Sequence, residues 1–251
     1  MKARLVLSEM TREQIQQVAG ETTAVLPTGS TEQHGPHLPV QTDTYICEAI
    51  CRLAAERASA EIAVTVAPTA VFGISHHHLP KPGVLSLSPS TFIQMVREVC
   101  EGLIRSGFPR IAIVNGHGGN DEAVRLLARD LANSHPVAVA ATSYWTVARQ
   151  SLLDAASAVG ISMVPGHAGG FETSLIQALR PDLLDGRLPP PADPPTPELP
   201  LPATIARAGK RIGDGPGYTD DPSAASPEHG RRFLELAARD LASFLVQFHR
   251  S

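Results

Sequence analysis

Residues 28–44 concentrate side chains that can bind metal ions. This segment reads TGSTEQHGPHLPVQTDT and carries Glu32, His34 and Asp43 between turns rich in glycine and proline. Glu32 and His34 are two residues apart, so in extended backbone they point to the same side, whereas on a helix they would diverge by about 200°. Carboxylate and imidazole ligands without thiolate suit Zn²⁺ or Mn²⁺. A short carboxylate such as Asp43 is able to bridge two ions about 3.5–4 Å apart, so we expect half of a two-metal hydrolytic site here.

A second candidate segment is NGHGGN at residues 115–120, which contains His117 and directly follows the run Arg110–Val114. Its glycines have an alternative interpretation as a phosphate-binding loop at a helix N-terminus. The segment lacks both the Lys-Ser or Lys-Thr pair of a P-loop and the pattern G-x-G-x-x-G. We therefore favour His117 as a metal-binding residue.

Two further segments bear imidazole or carboxylate groups. The segment GHAGGFETS, residues 166–174, contains His167 and Glu172 five positions apart. A long irregular segment, residues 69–87, contains three consecutive histidines, of which we expect His76 and His77 to be exposed. Irregular segments of this length in compact domains are usually functional or disordered.

The elements that must position these residues alternate along the chain between short apolar runs and helical patterns. We predict strands and helices at the following positions: strands at Thr22–Leu26, Ile62–Ala67, Arg110–Val114 and Val137–Ala141; helices at Thr11–Ala19, Asp43–Ala58, Ser88–Ser106, Asp121–Ala132, from Trp145 to about Val159, up to about Leu179, and Ala225–Phe248. This order favours right-handed crossovers and a mainly parallel sheet with helices on both faces. The strands are continuous apolar runs, as strands covered on both faces should be. The sequence thus predicts an α/β fold.

This topology would bring the candidates together. Ligands of open parallel sheets bind beyond the carboxyl ends of the strands. Glu32 and His34 follow the first strand, the histidine-rich segment follows the second, His117 follows the third, and Tyr144 and Trp145 follow the fourth. All of them should meet at one edge of the sheet.

Size and composition exclude several classes of protein. The 251 residues, 43% hydrophobic and 18% charged, suit one large α/β domain spanning residues 1–251. A net charge of −4 without a basic stripe argues against a nucleic-acid partner. No window approaches the ~20 apolar residues of a membrane helix, and no apolar signal region follows Met1, so we expect a soluble cytoplasmic protein without a membrane partner. Cys47, Cys51 and Cys100 are odd in number and fit buried thiols better than disulfides or a metal pair.

Three motifs in order resemble those of the creatininase (creatinine amidohydrolase) family. They are EQHGPHLP with an aspartate eleven residues after its glutamate, then NGHGGN, then HAGGFETS, and they extend over about residues 25–180. The resemblance implies a three-layer α/β/α sandwich with a mainly parallel central sheet. It also implies two divalent metal ions per chain, Zn and/or Mn, and cleavage of a C–N amide bond by a metal-bridging hydroxide. Family members commonly form a homohexamer, so a homo-oligomer is expected.

The resemblance also implies roles for individual residues. Glu32 and His117 would bind one metal, His34 and Glu172 the other, and Asp43 would bridge them. His167 corresponds to a substrate-side histidine of the family that stabilises the intermediate or delivers a proton to the leaving nitrogen.

Four further residues are implied at the substrate. His78 matches a loop position that is often histidine in the family, and Trp145 matches a family tryptophan near the site. Tyr144 beside it and Gly118 complete this set, although Tyr144 and Trp145 fit the hydrophobic core equally well.

Two departures bear on the substrate. Creatininase has aromatic and acidic residues where this chain has Gly118 and Gly119, and a loop tryptophan at the place aligned with Met163. These differences argue against creatinine itself and for a roomier pocket that accepts a small-molecule or modified-peptide substrate. Alternatives within the family are a mycofactocin-type peptidase and a formamidopyrimidine deformylase. A non-catalytic metal-binding assembly protein is the alternative from another class; the complete set of five ligand positions favours an enzyme.

Several other features receive structural interpretations. His37 is expected to brace the loop around the metal ligands rather than bind metal. The acidic residues of the turn near the C-terminal helix, Asp214, Asp220 and Asp221, are expected to be solvated. The proline-rich stretch Pro181–Pro202 is expected to be an extended excursion over a neighbouring subunit or the mouth of the site.

Overall fold

A parallel four-stranded sheet forms the centre of the computed structural model, which describes residues 4–192 and 215–251. The strands are β1 (Thr23–Thr28), β2 (Val64–Val66), β3 (Arg110–Asn115) and β4 (Ala138–Ser143), in the order β2-β1-β3-β4. All of their pairings are parallel, and Thr28, Asn115 and Ser143 align at one edge. The carboxyl ends of β1, β3 and β4 therefore meet there, as the sequence predicts.

Eight α-helices belong to the described residues, at positions close to the predicted ones. They are α1 (Arg12–Val18), α2 (Thr42–Ala58), α3 (Pro89–Arg105), α4 (Asp121–Ser134), α5 (Tyr144–Val147), α6 (Arg149–Ser157), α7 (Gly170–Leu179) and α8 (Pro227–Arg250). The helix predicted from Trp145 to about Val159 is divided into α5 and α6 at Ala148, whose φ of −94° and ψ of 16° are not helical.

Local sequence explains several helix ends. Thr11 accepts a hydrogen bond from the backbone of Gln14, and the Gln14 side chain accepts one from the Thr11 backbone, a capping box that starts α1. Ser88 and Ser226 cap α3 and α8 by accepting a backbone N–H at their side-chain oxygen, without the reciprocal bond, and each is followed by a proline at the first helical position. Gly107 ends the α3 region with a φ of +97°, a conformation that favours glycine.

The two faces of the sheet pack against different helices, which confirms the predicted three layers. Val25, Ala112 and Val114 face a core shared with α2, α6, α7 and α8. Leu26 and Ile113, their neighbours along the strands, face a second core shared with α3 and α4. Because successive side chains of a strand point to opposite faces, this alternation requires apolar residues at nearly every strand position.

The long helix α8 closes the layer that contains α2 and α7. It packs against both helices, and the rings of Phe171 and Phe233 lie 4.9 Å apart at the α7 contact. Gly230 permits this close approach, because a Cβ at that position would lie 1.9 Å from the backbone oxygen of Ser174.

Only part of the predicted proline-rich excursion, Pro181–Pro202, lies within the described residues. Pro181–Leu183 forms a short 3-10 turn after α7. Residues 193–202 of the predicted excursion, and Asp214, lie outside the described residues. Within the part of the chain that is described, no helix combines the length and the apolar character needed to cross a membrane.

Candidate metal centre

A cavity of about 130 Å³ opens at the carboxyl edge of the sheet. Its walls come from segments far apart in sequence and consist of Glu32, Asp43, His77, His78, Gly116, His117, Gly118, Trp145, Pro165, Gly166, His167 and Glu172. His34 lies beneath this wall, fully buried, with its ring 4.3 Å from that of His167. The structure thus brings the five expected metal ligands and His167 into one place.

The loop between β1 and α2 places three of the expected ligands. The Glu32 backbone N–H donates to the Val40 carbonyl over 2.8 Å, which closes the loop on itself. Gly29 packs against the start of α2 so closely that a Cβ there would lie 2.6 Å from the Thr44 hydroxyl oxygen. Asp43 in the first turn of α2 is thereby held beside Glu32.

Asp43 lies between two imidazoles. Its Oδ1 is 3.1 Å from His34 Nε2, and its Oδ2 is 3.0 Å from His117 Nδ1. Each oxygen of this one carboxylate therefore faces a different histidine, which is the geometry that a bridging ligand needs.

The remaining acids divide between the same two histidines. Glu32 Oε1 is 3.3 Å from His117 Nδ1, and Glu172 Oε2 is 3.7 Å from His34 Nε2. The ligand atoms of His34, Asp43 and Glu172 lie within 4.8 Å of one another, and so do those of Glu32, His77 and His117. Glu32, His34 and His167 form a third such group, so the candidate ligands of the two histidines adjoin one another at this cavity.

The far sides of the two imidazoles are held by backbone carbonyls. His34 Nδ1 lies 3.2 Å from the Glu32 carbonyl oxygen, and His117 Nε2 lies 3.0 Å from that of Ile74. In the neutral form that binds a metal, a hydrogen bond donated to each carbonyl would leave the opposite nitrogen with a lone pair directed at the acids. Such bonds fix the ring orientation and tautomer of metal-binding histidines.

Gln33 orients two histidines of the site, and no motif in the sequence indicates this role. Its side-chain oxygen accepts from the Gly35 backbone N–H at 3.0 Å, so its amide nitrogen points towards His78 Nδ1 at 2.9 Å. His78 is buried, and its Nε2 lies 3.1 Å from Glu32 Oε1. Gln33 therefore orients His78 towards the acid cluster.

The same glutamine contacts His167. His167 Nε2 lies 2.9 Å from the Gln33 carbonyl oxygen and 3.0 Å from its side-chain nitrogen. Its other nitrogen, Nδ1, is 3.7 Å from Glu32 Oε1. His167 is thus fixed at one nitrogen and presents the other to the acid cluster.

The turn that bears His167 and the start of α7 is unusually tight. Ala168 has a φ of +51°, and its N–H donates to Glu172 Oε2 over 2.6 Å. Thr219 exchanges backbone and hydroxyl hydrogen bonds with the main chain of His167 at 2.8 and 2.9 Å. The order of the first turn of α7 therefore depends on residues about fifty positions later.

Asp220 corrects an expectation, because it is buried rather than solvated. Its Oδ2 accepts from the Gly170 N–H at 3.2 Å, and a Cβ at Gly169 would lie 1.6 Å from its carboxylate. Burial raises the pKa of Asp220 above its usual range. The side chain fills the space beside the HAGG turn, which explains why glycine is needed at position 169.

The sequence prediction is also wrong about the exposure of His77. This residue is half-buried and lines the cavity, whereas His76 is exposed as expected. The His77 ring lies nearly parallel to that of His117, at 9° and 5.6 Å between centroids. A 3-10 turn at His76–His78 decides which of the three histidines point inwards.

Three of the four residues expected near the substrate line the cavity, and the fourth lies in the hydrophobic core. Trp145 and Gly118 line the cavity, as does His78. Tyr144 is 1% exposed within the core cluster, with its ring edge-on to Trp145 at 5.0 Å. His37 donates to or accepts from the Thr173 hydroxyl at 3.0 Å, beside α7, which matches a bracing role.

Burial and the acids together set the proton affinity of the cluster. Burial alone would lower the pKa of His34, but Asp43 and Glu172 raise it to about 10. Burial likewise opposes the charged form of His117, and Glu32 and Asp43 raise its pKa well above the usual value. Burial raises the pKa of Glu172 to about 8 despite the attraction of His34.

His167 behaves in the opposite way. Burial lowers its pKa well below the usual value, and His34 and His78 reinforce the shift. Its imidazole is therefore neutral at pH 7, unlike the two histidines that face Asp43.

The donor set fits divalent metal ions. Glu32 Oε2 is buried without a hydrogen-bond partner, a costly arrangement for a carboxylate oxygen unless a cation satisfies it. Three buried carboxylates and two oriented imidazoles form oxygen and nitrogen ligands suited to Zn²⁺ or Mn²⁺.

Known proteins match this chain along most of its length. A family model described as creatininase, creatinine amidohydrolase, covers residues 8–245. The chain is 31% identical over 230 residues to a mycofactocin precursor peptide peptidase of Mycobacterium ulcerans (strain Agy99), covering 89% of this chain and 84% of that protein. It is 30% identical over 247 residues to a creatinine amidohydrolase of Pseudomonas putida, covering 89% and 88%.

Solved creatininase structures share the fold. A creatininase with Mn has a TM-score of 0.77 at 27% identity, covering 97% of this chain and 98% of that one. A creatininase point mutant of the Zn-Zn type has a TM-score of 0.77 at 27% identity, covering 97% of both chains.

Proposed function

The chain belongs to the creatininase family of metal-dependent amidohydrolases, which act on C–N bonds, and from this premise we propose the chemistry of its own site. It hydrolyses a C–N bond in a small cyclic or linear amide, or in a modified peptide, with two divalent ions per chain.

The geometry of Asp43 carries this proposal. Its two oxygens face His34 and His117 at 3.1 and 3.0 Å, so one carboxylate serves two clusters. Glu32 and His117 would hold one ion, and His34 and Glu172 the other. When bound, such ions polarise the scissile carbonyl and lower the pKa of water. The Mn and Zn-Zn creatininase structures support these two metals as the candidates.

His167 is assigned to the substrate side. It is held by Gln33 at Nε2 and presents Nδ1 towards the cavity, where a neutral imidazole exchanges a proton with a reacting group. With its Nε2 proton donated to the Gln33 carbonyl, Nδ1 first accepts a proton from the attacking water; the imidazolium so formed stabilises the oxygen of the attacked carbonyl or passes that proton to the leaving nitrogen. Gln33 and His78 act by holding the side chains of His167 and Glu32 in position.

The environment of Gly118 bears on substrate size. This residue is exposed, and a Cβ there would meet nothing within 4 Å. Open space beside the cavity supports a substrate with an extension, such as a modified peptide, as the second candidate to a small amide or formamide. The two relatives, one a peptidase and one a creatinine amidohydrolase, are 31% and 30% identical to this chain, so the substrate panel includes both amides and peptides.

Two proposals concern the whole chain. We propose that residues 1–251 form one domain, which is supported by the packing of α8, near the C-terminus, against α2 and α7. A homohexamer is proposed from the family resemblance, and light scattering on the purified chain tests it.

Metal analysis and a substrate panel test the function. Protein purified without chelator should contain close to two Zn or Mn per chain and should cleave one member of a panel of creatinine, formamidopyrimidines and short C-terminally modified peptides, with product mass as the readout. His167→Ala should keep its metal and lose turnover. An active metal-free preparation would contradict the mechanism, and two bound ions without turnover on any amide would favour the non-catalytic metal-binding protein.

A further inference from the structure

The loop that carries His77 is anchored to the same glycine-rich segment that carries His117. The Ile74 N–H donates to Asn120 Oδ1 over 2.9 Å, and the Ser75 N–H donates to the Ser86 hydroxyl over 2.7 Å. These bonds fix both sides of the loop just before the turn at His76–His78. The position of His77 is therefore determined by tertiary contacts.

Gly119 permits the loop to approach. A Cβ at position 119 would lie 2.1 Å from the Ile74 carbonyl oxygen and 3.0 Å from His77 Cε1. Any larger residue would push the loop away from His117. With glycine there, the His77 ring reaches the wall formed by His117 and Glu32.

The distances suit a common metal ion. One ligand atom each from Glu32, His77 and His117 lie within 4.8 Å of one another. Two ligands bound to zinc at about 2.0–2.1 Å in tetrahedral geometry are about 3.3 Å apart, so inward movements of about 1 Å close the site. His77 is half-buried, with its ring 5.6 Å from that of His117 and 4.3 Å from that of His78.

We propose that His77 is a protein ligand of the ion bound by Glu32 and His117. This inference rests on the metal centre proposed above and adds a residue to it. With Asp43 shared, that ion has four protein ligands, whereas the ion at His34 and Glu172 has three. The first ion is consequently held more tightly, and the second keeps the open position that a catalytic metal needs.

The test compares metal affinity in four variants, with metal-free protein titrated by Zn²⁺ against a chromogenic chelator. Wild type and His76→Ala, the exposed neighbour in the same turn, should show one tight and one weaker class of site. His77→Ala should weaken the tight class by at least about tenfold and leave the weaker class unchanged.

His77→Gln and His77→Glu separate ligation from packing. They are nearly equal in size, but only glutamate offers a strong ligand, so Glu should restore tight binding and Gln should not. Co²⁺ absorption provides a readout independent of turnover, because its visible bands change when a ligand nitrogen is lost.

Each outcome has one interpretation. If all His77 variants titrate like His76→Ala while wild type binds two ions and turns over, this inference is wrong and the proposed function stands. If Gln restores binding as well as Glu does, His77 acts by packing and the inference is again wrong. A wild-type chain that takes up no ion overturns both.

Discussion

Asp43 has two simultaneous functions at the residue level. It lies in the first turn of α2, where the helix dipole favours a carboxylate, so its charge stabilises the helix. Its oxygens also face both histidines of the site. The second arrangement depends on His117, 74 residues later, and cannot be explained by helix stability.

Replacing Asp43 should affect both ions, whereas replacing Glu172 should affect one. Asp43→Ala is expected to lose both, because each cluster loses an oxygen ligand and the shared group that holds the ions together. Glu172→Gln keeps the shape of the side chain and the acceptor for the Ala168 N–H, so it should weaken only the ion at His34. Metal content after dialysis, measured by elemental analysis, separates the two results. Equal, negligible losses would exclude bridging by Asp43.

Sequence patterns reveal ligand candidates better than the residues that orient them. Glu32, His34 and Asp43 stand close together, so their residue types and spacing are informative. Gln33 acts through His167, 134 residues away, and no local pattern indicates that contact. His76 and His77 are identical neighbours, and only the geometry of the 3-10 turn places one outside and one inside.

Loops at the ends of β1, β2 and β3 pack against each other, and glycines make this possible. Gly29 lies against α2, and Gly119 lies under the loop that follows β2. At the element level these glycines replace side chains that would hold the loops apart. Their positions thus determine the width of the cavity.

Gly118 and Gly119 provide a matched pair of substitutions. Gly119→Ala should displace the loop at Ile74 and cost about 1–3 kcal/mol of stability, since its Cβ meets backbone at 2.1 Å. Gly118→Ala should change stability by less than about 0.5 kcal/mol, because its Cβ meets nothing within 4 Å. Urea unfolding of the metal-free chains measures both. Equal stability of the two variants would show that the loop does not depend on Gly119.

Strands and helices were predictable because their signals are local. Apolar runs and capping residues such as Thr11 and Ser88 lie within the elements that they define. The break between α5 and α6 was not predictable, because no glycine or proline marks Ala148. The expectation that Asp220 is solvated is wrong for a similar reason, because its burial follows from packing against Gly169, 51 residues earlier.

At the scale of the whole molecule, the site depends on how α2 and α7 are held together. Asp43 lies at the start of α2 and Glu172 at the start of α7, and α8 packs against both helices. A shift of α7 would move Glu172 relative to His34 while leaving Glu32 and His117 on the sheet side. We therefore expect the stability of the outer layer to be coupled to the affinity of the proposed ion at His34 and Glu172.

Gly230→Ala and Gly102→Ala test this coupling. The Cβ added at Gly230 would lie 1.9 Å from the Ser174 carbonyl oxygen, so α7 and α8 must separate, at a cost of about 1–3 kcal/mol. The Cβ added at Gly102, within α3, has 4.0 Å to its nearest neighbour, and alanine there should stabilise the chain by about 0.5–1 kcal/mol. Urea unfolding of the metal-free proteins measures the change in the free energy of unfolding for each variant, and the two changes should have opposite signs.

Zinc titration of the same two proteins measures the affinity of each ion separately. Gly230→Ala should weaken the ion at His34 and Glu172 more than the ion at Glu32 and His117, because only the first depends on α7. Gly102→Ala should leave both affinities unchanged, since α3 packs on the opposite face of the sheet. Equal weakening of both ions in Gly230→Ala would mean that α8 supports the sheet edge as a whole rather than the position of α7.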